Sequence, residues 1–302
     1  MEATAAPVLE ASPAALTSEH VARYGRDGFL AFEHFLSPLE VEGLKAALSE
    51  SFRELIEEAR AGKTAFERKP SENQYNYSGL RITSSRGKHW VLFEPDAHLD
   101  LQKAGFEELE LSIRKLSDPC SAHGAFRVLA AHPRLQAMLE ALLGPRPILY
   151  GDMALCKPPR IGTAKPWHQD SAYFEYEPYD AGVDVWIALD DAAAENGCMF
   201  VLPGAHKAGP KKHVHLDDCT LAAGRFDYRQ AVPVEMRAGG ILLFSVMLPH
   251  YTPPNRSDQR RRAVQYFFRG AQTRLISKAE KIAKFVEADG TPAHCAANLP
   301  GA

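Results

Sequence analysis

The chain has 302 residues, 45% of them hydrophobic and 24% charged, which is enough apolar material for one sizeable buried core. A formal net charge of −3 gives no basic footprint for nucleic acid, and no run of roughly 18 apolar residues is present to span a bilayer. Nucleic acid and membrane are therefore poor candidate partners, and a small molecule is the better one. Cys120, Cys156, Cys198, Cys219 and Cys295 are scattered and lack any C-x-x-C spacing, so we read them as structural residues of a cytoplasmic protein.

Residues 1–16 are rich in Ala and Pro and have neither the basic start nor the apolar run of a signal peptide, which predicts a disordered lead. Thr17-Ser18-Glu19-His20 opens a short helix that Asp27-Gly28 should end, and Phe29 to Phe32 reads as a strand. Ser37-Pro38-Leu39-Glu40 repeats the start signal, with Ser as cap and Pro in the first turn. The long helix behind it carries Val41, Leu44, Leu48, Phe52 and Leu55 at three- and four-residue steps, its expected buried stripe.

From residue 63 to about 98 this periodicity fails. Asn73, Tyr75 and Arg81 lie there among amides and phenols, in what is either a substrate-contacting lid or an ordinary solvated loop. Phe106 to Leu116, Phe126 to Ala131 and Pro133 to Leu143 then read as helices, the last closed by Gly144-Pro145.

Beyond Gly144 the texture changes to short β-like runs: Pro147 to Cys156, Val183 to Leu189, Cys198 to Leu202, Ala231 to Met236, Ile241 to Met247 and Ala263 to Phe268. With the His168 segment and a weaker run at His213-Val214-His215 they make about eight strands, the number of a double-sheet jelly roll. The predicted fold class is α+β, mainly β with helices: a double-stranded β-helix, or cupin-like jelly roll, preceded and flanked by helices. A single domain is expected over residues 17–275, with a helical part at about 17–144, a jelly-roll core at about 145–270 and a tail at 276–302 that begins with a helix from Ala279 to Val286.

Within that pattern Lys165-Pro166-Trp167-His168-Gln169-Asp170 places an imidazole and a carboxylate two residues apart. On a strand the two would share a face. An isolated His-x-Asp is commonly a hydrogen-bonded surface pair, so a third ligand must come from elsewhere. Leu248-Pro249-His250, at the end of the apolar run Ile241 to Met247, supplies the candidate. Two His and one carboxylate leave positions open on an ion, as in non-haem Fe(II) oxygenases, whereas structural zinc sites close with four protein ligands. Trp167 and Phe174, beside these residues, are either cavity walls or core.

The order of Asp27-Gly28-Phe29-Leu30, His168-x-Asp170, Glu195-Asn196-Gly197-Cys198-Met199, Leu202-Pro203-Gly204-Ala205-His206, His250, Asn255-Arg256-Ser257 and Arg261 resembles the phytanoyl-CoA dioxygenase family over roughly residues 17–270. The resemblance implies an enzyme with His168, Asp170 and His250 as iron ligands, using Fe(II), 2-oxoglutarate and O2 and releasing succinate and CO2. It implies that Arg261 holds the far carboxylate of the keto acid, for which the planar fork of a guanidinium is suited. Thr252, Gln169 and Met153 are expected beside the same cosubstrate. A retained Asp170 favours hydroxylation over halogenation, in which a small residue replaces the carboxylate. Two other readings stay open: a catalytically silent jelly roll used for binding or as a scaffold, and a cupin-type metalloenzyme without a keto acid. Lys207, Lys211, Lys212, His213 and His215 either recognise an anionic substrate or form a basic surface loop.

Overall fold

Both N-terminal helices begin as their capping residues dictate. Thr17 caps Ser18–Asp27 and Ser37 caps Pro38–Arg60, each with a reciprocal capping box. The first ends at Gly28 in the left-handed conformation. The second buries Val41, Leu44, Leu48, Phe52 and Leu55, the predicted stripe. This computed structural model describes residues 10–69, 79–95, 97, 99–215, 218–222 and 224–285.

Two sheets carry the architecture. The larger has ten strands, in the order Glu10–Ala11, Phe29–Glu33, Ile241–Ser245, Gly182–Ala188, Arg261–Arg269, Ile148–Lys157, Ile113–Ser117, Trp90–Phe93, Gly79–Thr83 and Phe66–Lys69. The smaller has four, in the order Val232–Val234, Met199–Val201, His250–Thr252 and Lys165–His168. Strand alternation divides the side chains. Leu30, Phe32, Val183, Val185, Leu243 and Val264 pack under the helices, while Phe29, Ala31, Trp186, Leu242 and Phe244 meet Met199, Val201 and Val234 of the smaller sheet. A sheet covered on both faces needs continuous apolar strands, which explains the uninterrupted run Ile241–Ser245.

The sheets face each other as a jelly roll but do not close into a barrel, and the larger one extends past the shared core. That extension corrects three expectations. The N-terminal part is not only helical, since it contributes five strands of three or more residues to the large sheet. The stretch from 106 to 116 is a five-residue helix, Phe106–Glu110, followed by the strand Ile113–Ser117. Pairing with Trp90–Phe93 on one side and Ile148–Lys157 on the other overrides local helix preference there. The described residues between 63 and 98 likewise build antiparallel strands instead of a free loop. The helix of the tail spans Lys278–Lys284. Among the described residues no helix is long and apolar enough to cross a membrane.

Two sequence signatures meet at Gly28. Its φ is +86°, Gly204 N–H donates to Asp27 O at 2.7 Å, and a Cβ on Gly28 would lie 2.4 Å from His206 Nδ1. The Pro203-Gly204-Ala205-His206 loop thus rests on the turn that ends the first helix. Gly28→Ala is expected to cost ~2–4 kcal/mol, combining left-handed strain with displacement of a packed imidazole. A urea midpoint equal to that of the native chain would show that this contact carries no weight.

Candidate metal centre

His168 ends the edge strand of the smaller sheet and lies in antiparallel register with His250, the first residue of the neighbouring strand. The chain then leaves the strand. Asp170 opens a 3-10 turn, Asp170–Ala172, pinned where Ser171 N–H donates to Val246 O at 2.8 Å. The turn, not strand alternation, brings the carboxylate back to the imidazoles. His168 Nε2 is 3.3 Å from Asp170 Oδ1, and His250 Nε2 is 3.7 Å from Asp170 Oδ2. One donor atom from each residue falls within 4.8 Å of the others, and all three side chains are buried.

The tautomers follow from the opposite ring edges. His168 Nδ1 lies 2.7 Å from Pro166 O, and His250 Nδ1 lies 3.0 Å from Leu248 O. A carbonyl only accepts, so each Nδ1 donates and each Nε2 turns a lone pair inward. Burial, with the charge of His168 next, holds His250 down to about 3, while Asp170 opposes the shift. Burial pushes the Asp170 carboxyl up, but His250 and His168 outweigh it and leave the group below the usual carboxylate range. With both Nε2 lone pairs turned inward beside an anionic Asp170, the cluster presents the donor set that a divalent cation requires. Without metal, His250 binds a proton near pH 6.5 when unfolded but only near pH 3 when folded. The unfolded chain therefore holds more protons across that window, and stability of the metal-free protein should fall as pH drops from 6.5 towards 3. A urea midpoint that stays flat over this range would contradict it.

The three ligands sit in the wall of a cavity of about 370 Å³. Arg261 lines it too, only 1% exposed, with its guanidinium 5.5 Å over the Trp186 ring. Arg261 Nη1 donates to Leu155 O at 3.3 Å, whereas Nε is buried with no hydrogen-bond partner. Burial lowers this guanidinium to about 10, still charged at neutral pH. A buried cation with an unanswered donor fits an incoming carboxylate. Arg262, the next residue, faces away and binds Asp190 through two 2.8 Å hydrogen bonds.

Thr252, Met153 and Phe174 also line the cavity, and Phe174 packs edge-on against Tyr150 and Phe267. Gln169 was expected beside the cosubstrate but does not line it. Its amide donates to Met247 O at 2.7 Å and Gly209 O at 3.1 Å and accepts from Lys211 N–H at 2.8 Å, so it ties together loops behind the site. Trp167 faces away from His168, stacking on Tyr251 and Tyr228, because adjacent strand residues point to opposite sides. Arg81 reaches the cavity only indirectly, its guanidinium 5.4 Å over the Trp90 ring, which is part of the wall. Asn73 and Tyr75 lie outside the described residues.

Several groups in and around the site escaped the sequence reading. Lys115 lines the cavity, lowered to about 7 by burial and next by Lys165, and the expected helix had hidden its strand position. Asp184 is fully buried beside Asp170, and burial and then Asp170 raise it well above the usual carboxylate range. His213 belongs to no surface loop. Its Nε2 accepts the Gln169 backbone N–H at 2.9 Å, between the two ligands His168 and Asp170. Cys120, Cys156 and Cys198 are buried thiols whose pKa burial raises, while Cys219 is disulfide-bonded.

A buried two-His, one-carboxylate cluster sharing a jelly-roll cavity with a buried arginine defines the class of non-haem metal oxygenases that take an acidic cosubstrate. The chain belongs to the phytanoyl-CoA dioxygenase family, whose signature matches residues 24–263, and thereby to the Fe(II)- and 2-oxoglutarate-dependent oxygenases. It is 26% identical over 262 residues to phytanoyl-CoA dioxygenase domain-containing protein 1 of Rattus norvegicus, covering 84% of this chain and 90% of that one. It is 28% identical over 186 residues to the peroxisomal phytanoyl-CoA dioxygenase of Homo sapiens, covering 58% and 55%. Among solved structures, EvdO2 from Micromonospora carbonacea var. aurantiaca complexed with 2-oxoglutarate superposes with a TM-score of 0.59 at 23% identity, covering 89% of this chain and 96% of that one. The carbocyclase SnoK from nogalamycin biosynthesis gives 0.58 at 19% identity, covering 95% and 94%. At these identities the two structures establish a shared fold.

Proposed function

We propose that this protein hydroxylates a C–H bond of a small organic molecule, consuming 2-oxoglutarate and O2 and releasing succinate and CO2. The observation that carries this reading is Arg261, buried in the same cavity as the three ligands and with a donor still to be met. His168, Asp170 and His250 would hold the iron, and Arg261 the far carboxylate of the keto acid, with Thr252 and Met153 alongside. Lys115 adds an amine to the same wall. When bound, iron and the keto acid supply the oxidising equivalent for the substrate. The chain's own part is to bind, orient and exclude water, which the buried Trp186 and the Tyr150–Phe174–Phe267 cluster favour.

The presence of Asp170 supports hydroxylation over halogenation. The aromatic wall and the cavity of about 370 Å³ support a compact substrate. Phe174 is the proposed substrate contact among the described residues. We read residues 17–275 as one catalytic unit on the basis of the shared core, and a cytoplasmic location from the buried free thiols Cys120, Cys156 and Cys198. Purified protein with Fe(II) and ascorbate should convert 2-oxoglutarate to succinate, slowly without substrate and faster with one. Metal binding without succinate would favour a cupin-type metalloenzyme. Neither metal binding nor succinate would leave a silent jelly roll.

A further inference from the structure

Asp170 is the one charged ligand of the centre, and its carboxylate can rotate, so the plane in which Oδ1 faces His168 and Oδ2 faces His250 must be set by a neighbour. Gln265 Nε2 donates to Asp170 Oδ2 at 3.1 Å, and the Gln265 side chain is itself only 4% exposed. On the Arg261–Arg269 strand Gln265 shares its inward face with Arg261, four residues earlier. It stands in register between Met153 on one neighbouring strand and Trp186 on the other. Asp184 approaches the same carboxylate from the adjacent strand, so the amide of Gln265 is the neutral donor among the neighbours of Asp170. The nitrogen must be the end of the amide that meets the carboxylate, because an oxygen there would repel it.

We propose that Gln265 is the positioning residue of the metal carboxylate, fixing the rotation of Asp170 and tying that ligand to the strand that carries Arg261. An amide suits this task because it donates at every working pH and adds no charge. A carboxylate would repel Asp170, and a lysine would compete with the ion for it. The inference rests on the reading of His168, Asp170 and His250 as a metal centre.

The test uses the full chain stripped of metal and titrated with Co(II), comparing the native protein with Gln265→Met and Gln265→Leu. Loss of one orienting hydrogen bond should raise the Co(II) dissociation constant about 10–100-fold and shift the ligand-field absorption of the bound ion. Co(II) affinity within about twofold of native in Gln265→Met would overturn the inference while leaving the metal centre intact. Failure of the native protein itself to bind Co(II) would overturn the centre. Methionine keeps the length and bulk of glutamine, so a Gln265→Met chain that cannot fold also counts against the inference, since a purely orienting amide is dispensable to folding.

Discussion

His168→Ala or Asp170→Ala is expected to remove 2-oxoglutarate turnover, by at least about a thousandfold, together with stoichiometric binding of iron. The two substitutions fail for different reasons. Alanine at 168 deletes a neutral donor whose Nδ1 was held by Pro166 O, and leaves His250 with no imidazole opposite. Alanine at 170 deletes the only negative charge in the set, so two neutral rings would have to hold a divalent ion in a buried site. Asp170→Asn separates charge from shape, because it keeps the volume and one oxygen but not the charge. It should bind metal more weakly than native and better than Asp170→Ala. Elemental analysis of the purified variants, alongside succinate release, decides the matter. Full iron occupancy in both alanine variants would mean that the ion sits elsewhere.

Arg261→Ala should raise the KM for 2-oxoglutarate by about a hundredfold, the equivalent of ~3 kcal/mol for a buried charge-assisted pair. The effect on kcat at saturation should be smaller, since Arg261 holds the part of the cosubstrate remote from the reacting centre. Arg261→Lys is not a conservative change here. The guanidinium lies over Trp186 and spends one nitrogen on Leu155 O, leaving the others for a carboxylate, whereas an ammonium provides neither the plane nor the fork. Lysine should therefore recover only part of the loss. An unchanged KM in Arg261→Ala would remove the keto acid from the proposed reaction and return weight to a cupin-type metalloenzyme.

Much of this site could be read without coordinates because its parts are carried by short local patterns. Helix starts at Thr17 and Ser37 were legible since capping is a matter of a few residues, and both caps form as expected. The strands Gly182–Ala188 and Ile241–Ser245 were legible because a doubly covered sheet demands unbroken apolar runs. Lys115 was not legible. Its strand, Ile113–Ser117, owes its form to partners from residues 90–93 and 148–157, and nothing in the local pattern reveals a pairing made at that distance. Gln169, expected beside the cosubstrate, and Trp167, read as either cavity wall or core, turn away from the cavity for a related reason. Neighbouring a ligand in sequence says little about facing the ion, since one step along a strand reverses the side and one 3-10 turn changes the direction again.

The pairing of His168 with His250 has a mechanical side. The strand that carries His168 has four residues, lies at the sheet's edge and is bonded on one side to a strand of three. An ion held by both imidazoles would rivet that edge to its neighbour, and Asp170 would fasten the following turn to the same point. Loading the centre would then also brace the rim of the smaller sheet, and a protein starved of iron would lose the clasp on that hem before it lost anything in its core.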